Sequence, residues 1–543
     1  MPKFLQLFPS TAREDGAPAS RSSKIRAFAG IFLFWWLLTA CVYQHTEINF
    51  LRAESGWYLF LSHSAPAIRH SFEKTVVTMS FKGHYAPLGF LAEFETAKLA
   101  GTHEGFWKWR QIIVLALLAA TLFVLVRNSG YALQLGKPKA SLAAIGLTAV
   151  LIFQAQMRDF IAWPYMILQL FWLLFTVTAL LGLVQMARLP AETKWPWLAA
   201  GTAYVSLQFL GLGVATVAGT AAGLGGIFLG TRGRHSSEVP RITGPFLSMI
   251  ALAALHAILS VKLLLVEDIS AAPAWQFIPF LKAFLGFIPN FAFATLRTLF
   301  STSVPAPTAA QIAQDWPYGL ALLLGFGFLI SAAFLRCRNE PTTANRARFV
   351  LQTFASISFL TMTALAAVRQ WHEPSVLGFA DYLTGSRYLI PGTFALAGLM
   401  SEVLFLFSSA PILLGALLNA GLGLCAVIGQ FHYAAEVYPK VFPRSMISHA
   451  SAWQSVVTMA RECRKADLAI PNVPLGVLSQ EFVGWDLKLF EPLLRAELNL
   501  PPGTKLEFRS WPSATNELPN EYDREVPALP DVRKKLWLQA KRE

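Results

Sequence analysis

Charge is what this chain has least of: Asp, Glu, Lys and Arg make up only 14% of its 543 residues, where a soluble protein carries about a quarter. At ordinary domain sizes that length makes three or four soluble domains, but so little charge cannot cover several globular surfaces. A cytosolic multidomain enzyme and a disordered chain are both excluded. Cysteine is also scarce. Cys41, Cys337, Cys425 and Cys463 lie far apart, two of them inside apolar runs, so neither a disulfide framework nor a zinc motif is available. No internal repeat of the transporter type is evident.

Apolar residues are abundant instead. They reach 54%, with 42 Phe, 16 Trp and 12 Tyr, and the mean hydropathy is +0.46. Lipid must be the solvent for much of this surface. Stretches near membrane-spanning length fall at about 27–45, 110–127, 140–155, 163–187, 197–213, 214–231, 243–265, 317–336, 349–368, 388–407 and 410–431. The fold class expected is therefore an all-α polytopic membrane protein with about eleven transmembrane helices. The fifth and sixth share one Gly-rich run, Trp197 to Gly230, and read equally as two short spans or one broken one. The first span, containing Trp35 and Trp36 and lacking a small-residue cleavage site, reads as an anchor and not as a signal peptide.

Basic charge sets the expected orientation. Residues 1–26 carry a net +3, and the connectors 127–139, 188–196, 231–242 and 336–348 together carry a net +9 out of the total +13. By the positive-inside rule these segments are cytoplasmic, and an odd number of spans puts the C-terminus outside. The division expected is a cytoplasmic segment 1–26, a membrane module 27–431 and an extracytoplasmic C-terminal domain 432–543. Loops at about 46–109 and 266–316 face the same outer side. Dispersal of the positive charge over short connectors argues against nucleic acid as a partner. Within the tail, amphipathic stretches around Ser445–Asp467 and Asp486–Leu498, separated by Pro-containing turns, predict a small, mainly helical domain.

Chemistry is expected on the outer side. The first loop opens with Glu47 and Glu54 close to the membrane surface, where a carboxylate can take a proton from an incoming hydroxyl or remain a solvated charge. Further on stand Lys82-Gly83-His84-Tyr85-Ala86-Pro87-Leu88, then Gly101-Thr102-His103-Glu104 and Arg110 leading into the second span. Arg158 and Asp159 occupy the short turn between spans three and four; they fit an anionic headgroup, a metal ion or a structural pair. Gly385-Ser386-Arg387-Tyr388 enters span ten from outside. Arg387 there suits bidentate phosphate contact, or service as a snorkelling anchor paired with Asp381 or Tyr388. Lys262, near the outer end of span seven, repeats the argument more weakly.

An acid shortly after the first span, a Pro-Leu motif opening a surface helix, a Gly-containing turn and an Arg-bearing entry into span two together resemble the membrane-integral C-type-fold glycosyltransferases. That group includes protein O-mannosyltransferases and lipid A aminoarabinose transferases. Residues 27 to about 130 carry the resemblance; the remaining spans share only the general layout. It implies a bacterial inner-membrane enzyme that performs inverting transfer of a sugar from a polyprenyl-phosphate donor to a lipid, glycan or protein acceptor. Glu54 is then the catalytic base with His84 as helper, while Arg387, Tyr388, Arg158, Asp159 and Lys262 bind substrate. Some relatives need a divalent metal ion; with no second carboxylate beside Glu54, none is assigned here. The departures, a single Glu54 and His84-Tyr85 before the proline, also leave open an inactive scaffold, and the intramembrane charges leave open a transporter or lipid flippase.

Overall fold

The computed structural model describes residues 21–48, 53–64, 66–78, 85–154, 156–231, 239–262, 276–298, 309–370, 386–400, 411–432, 435, 449–474, 486–501 and 503–510. Nearly all of them are helical, and nine helices are long and apolar enough to cross a membrane. The chain forms an all-α polytopic membrane protein.

Helix α1 (Arg21–Tyr43) precedes three helices that are too short or too polar to span: α2 (Ala53–His63), α3 (Pro66–Thr78) and α4 (Pro87–Ala100). Next come α5 (Glu104–Ala132), α6 (Lys137–Ile152), the single-turn pair α7 (Met157–Ala162) and Pro164–Met166, and α8 (Ile167–Arg188). After α9 (Lys194–Leu207), α10 (Gly213–Thr231) and α11 (Val239–Lys262) lie α12 (Phe277–Thr298) and α13 (Ala309–Gln314). The series continues with α14 (Trp316–Asn339), α15 (Thr343–Gln370), α16 (Ser386–Leu396) and α17 (Ile412–His432).

Burial separates these helices by role. Those around α5, α8 and α15 are mostly covered by protein, whereas α1, α11, α14 and α17 expose most of their side chains, as helices bordering lipid do. The bundle is closed at one end by side-chain hydrogen bonds. Tyr43 Oη donates to the Ile152 carbonyl at 3.0 Å and accepts from Gln430 Nε2 at 3.0 Å, and Gln430 also donates to the Gln154 carbonyl at 2.7 Å. The ends of α1, α6 and α17 are thereby tied together.

Eight of the expected spans form helices of spanning length, and two form shorter ones. At a rise of 1.5 Å per residue, α6 and α9 reach only about 24 and 21 Å, short of the ~30 Å hydrocarbon core. The long run from Trp197 to Gly230 is two helices: α9 ends at Leu207 and α10 begins at Gly213, with a non-helical turn between them. Span ten is α16 followed by one 3-10 turn to Met400, and the rest of it lies outside the described residues.

The segment expected as an outer loop, 266–316, differs most. It holds α12, itself of spanning length. Asn290 Nδ2 of α12 donates to Asp315 Oδ2 at 2.9 Å, and a Cβ on Gly319 would meet the Leu285 carbonyl. Helix α14 therefore starts beside the middle of α12 and not beyond its far end.

In the tail, helices fall in both amphipathic stretches: α18 (His449–Lys465) and α19 (Glu491–Glu497), the latter entered through a 3-10 turn at Leu487–Phe490. Two short parallel strands, β1 (Ile470–Pro471) and β2 (Phe508–Arg509), join the ends of this region, adding a β element to an expected mainly helical unit.

Candidate functional site

Helices α2, α3 and α4 pack on one another as a platform over one end of the bundle. Pro87 opens α4, where its fixed φ suits a first turn and its missing N–H is not needed. Gly101 closes it at φ +50°, its N–H bonding the Ala97 carbonyl at 3.0 Å, a conformation costly for residues with a Cβ. The Pro-Leu motif docks into the turn between α9 and α10. Gly89 N–H donates to the Gln208 carbonyl at 2.9 Å, and a Cβ on Gly89 would sit 2.8 Å from the Phe209 carbonyl oxygen. Beside it the Tyr85 ring lies 5.1 Å from that of His256, whose Nδ1 is 3.1 Å from Gln208 Nε2.

Beneath α4 runs a polar seam in an otherwise apolar interface. Phe90, Glu93, Phe94, Ala97 and Ala100 form its buried face, and Glu93 has no exposed surface. Glu93 Oε2 accepts from Arg110 Nη1 at 2.6 Å. The same guanidinium donates through Nη2 to the Pro164 carbonyl at 2.8 Å and lies 4.7 Å from the centroid of Trp107. Trp107 Nε1 in turn donates to the Gly101 carbonyl at 2.8 Å, and Gln111 Nε2 to the Phe160 carbonyl at 2.7 Å. Burial pushes the Glu93 carboxyl up from its ordinary range, and Arg110 opposes it. Gly101 and Arg110, noted in the sequence as a turn and an entry, thus belong to one network centred on Glu93, which sequence reasoning missed. Its signal was present in the apolar i, i+3, i+4, i+7 register of α4, with one acid on the buried face.

Three chain segments that carry expected site residues meet at the level of the backbone. Glu54 is the second residue of α2, and its side chain lies outside the described residues. Its neighbour Ser55 accepts from the Tyr165 N–H through Oγ at 2.9 Å, which seats the start of α2 on the turn after α7. Arg158 and Asp159 both lie on α7, Asp159 buried and Arg158 half-buried. Helix α16, which begins Ser386-Arg387-Tyr388, packs against α7, α8 and α15. Tyr388 is half-buried against the core, and the Arg387 side chain lies outside the described residues. Lys262 ends α11, on a different part of the bundle, with its side chain outside the described residues, as is the whole of His84.

Glu47, the other loop carboxylate, is held among charges. Its carboxyl is pushed up by partial burial and by Glu104, while Arg158 and Lys108 pull it down. Lys108 pairs with Glu104 at 3.1 Å. Among the described residues no three His, Cys, Asp or Glu side chains come together as a metal site.

The tail docks on the same platform. The Thr102 hydroxyl donates to the Glu497 carboxylate, and the Phe60 and Phe490 rings lie 5.1 Å apart. Below, between α5, α6, α8, α15 and α16, a small apolar cavity of about 40 Å³ is lined by Leu125, Leu151, Leu180, Leu351, Phe354 and Phe394, among others. Set against known protein families, curated proteins and solved structures, the chain finds no match in any of the three.

Proposed function

We propose that this protein is an inverting membrane glycosyltransferase that moves a sugar from a polyprenyl-phosphate carrier to an acceptor at the outer face of the inner membrane. The observation that carries the reading is the meeting of three chain segments. The start of α2 with Glu54 is bonded to the turn after α7, α7 bears Arg158 and Asp159, and α16 with Arg387 and Tyr388 packs on α7. Chain segments that bear a glutamate and two arginines, meeting at one end of an apolar bundle, suit a lipid phosphate and an attacking hydroxyl.

In this reading Glu54 takes the acceptor proton as the hydroxyl oxygen bonds to the anomeric carbon. The bond from that carbon to the phosphate oxygen breaks, and the phosphate leaves with the electron pair. Arg387 and Arg158 neutralise its charge, so positioning and electrostatics supply most of the rate. Asp159 and Tyr388 orient the phosphate-binding arginines, and His84 assists at the acceptor. Lys262, expected from the sequence to bind substrate, is set apart on α11 and takes no part in this step. Glu47 holds Arg158 in place by its charge. The buried Glu93–Arg110 seam fixes the platform on the bundle, and the seated tail narrows access to acceptors of defined shape.

Thermal shift against undecaprenyl-phosphate sugars and bare undecaprenyl phosphate tests the donor class. Stabilisation of the wild type that is lost in Arg387→Ala supports the reading. Absence of stabilisation by every such lipid favours a transporter or an inactive scaffold.

A further inference from the structure

Helix α11 borders lipid, yet it carries one buried imidazole. It packs on α9 and α10 and exposes Leu252, Leu255 and Ile258, while His256 among them is buried. An ionisable side chain at such a place is costly unless its nitrogens are bonded. His256 Nδ1 lies 3.1 Å from Gln208 Nε2. An amide N–H donates, so Nδ1 accepts and the ring is the neutral form with its proton on Nε2. The imidazole also bonds the Tyr85 backbone, and its ring lies 5.1 Å from the Tyr85 ring.

Gln208 holds the same stretch a second time, because its carbonyl accepts from the Gly89 N–H at 2.9 Å. Tyr85 and Gly89 stand on either side of Pro87, whose ring fixes φ. Both ends of this short segment are thus tied to one residue in the turn between α9 and α10. A Cβ on Gly89 would meet the Phe209 carbonyl oxygen at 2.8 Å, so the segment has one close seating on the bundle. His84 precedes Tyr85 by one peptide bond, about 3.8 Å between Cα atoms; holding Tyr85 therefore restricts His84. An apolar residue at position 256 would suit a lipid-bordering helix at lower cost. What the imidazole adds is the grip on Tyr85.

We infer that His256 and Gln208 are positioning residues for the acceptor side of the transfer site: they seat Tyr85, and with it His84, at the start of α4. The inference rests on the assignment of His84 as helper in the proposed transfer. Neither residue touches substrate; both act through His84.

The test uses the purified full chain in nanodiscs. His256→Phe keeps a ring beside Tyr85 and removes the ring nitrogens, and His256→Asn supplies an oxygen in place of Nδ1. Donor affinity is read by thermal shift with an undecaprenyl-phosphate sugar, and acceptor use by the acceptor dependence of donor discharge. His256→Phe should lower kcat/KM for the acceptor about tenfold or more, the scale of a small misplacement, and leave donor affinity unchanged. His256→Asn should restore most of the loss. In a His84→Gln background His256→Phe should cost nothing further, since no imidazole is left to place. Hydrogen exchange across residues 85–90 should quicken in His256→Phe and in Gln208→Leu, and Gln208→Leu decides the matter if His256→Phe does not fold. Unchanged acceptor use or unchanged exchange in a folded variant, equal losses toward donor and acceptor, or losses that multiply in the His84→Gln double variant overturn the inference and leave the transfer reading standing. Absence of discharge by wild type from every donor overturns both.

Discussion

Glu93 and Arg110 meet 2.6 Å apart beneath α4, with the carboxylate wholly buried and the guanidinium reaching on to the Pro164 carbonyl. One ion pair thus joins the platform, the entry to α5 and the turn after α7, the three pieces on which the proposed site stands.

Removing one partner leaves the other charge buried. Glu93→Ala should destabilise the protein by about 3–5 kcal/mol, whereas replacing both, as in Glu93→Leu with Arg110→Met, should cost clearly less than the sum of the two single changes. Melting in detergent of the two singles and the double measures this. Additive losses contradict the pairing.

Gly89 has no room for a side chain. A Cβ there lies 2.8 Å from the Phe209 carbonyl oxygen, a backbone atom that cannot swing away. Gly89→Val should cost about 1–3 kcal/mol as an overpacking change and loosen the turn between α9 and α10. Hydrogen exchange across Gln208–Leu212 is the readout, and unchanged protection there sinks the docking account.

The tail should respond to pH through Glu497. Burial raises its carboxyl above the ordinary range, against the pull of His103. A group whose folded pKa is raised contributes stability that is fully present below the unfolded value of about 4.3 and is lost as pH rises through the folded value. Docking of the tail should therefore weaken as pH climbs from about 4 through that window. Glu497→Gln, fixed in the neutral form, should flatten the dependence. Limited proteolysis of the tail as a function of pH gives the answer; a dependence that persists in Glu497→Gln contradicts it.

The long apolar runs of α5, α8 and α15 were legible in the sequence because lipid-facing and core-facing positions are both apolar, so length alone marks them. Helix α12 was not, since Lys282, Pro279, Pro289 and Asn290 dilute its run, and Asn290 finds its partners in the Gly286 carbonyl one turn back and the distant Asp315. Helices α6 and α9 were read as ending too late because apolar letters continue past Ile152 and Leu207, where the backbone turns and Gln154 and Gln208 use their carbonyls to receive Gln430 and Gly89. At the site, Gly101 and Arg110 stood out by motif, but the partner that joins them, Glu93, shows itself only through helical register. His256 is hidden in an apolar run, because its partners Gln208 and Tyr85 are reached only by tertiary contact.

The central claim is sugar transfer with Glu54 as base, and the most direct measurement is single-turnover discharge of a polyprenyl-phosphate sugar by the purified protein with an acceptor extract. The account predicts that wild type releases polyprenyl phosphate with acceptor-dependent loss of donor, and that Glu54→Gln, folded and membrane-inserted, slows this at least ~100-fold, the contribution of a positioned general base. Equal rates for wild type and Glu54→Gln contradict the assignment of Glu54, and absence of discharge from every donor by wild type contradicts the function.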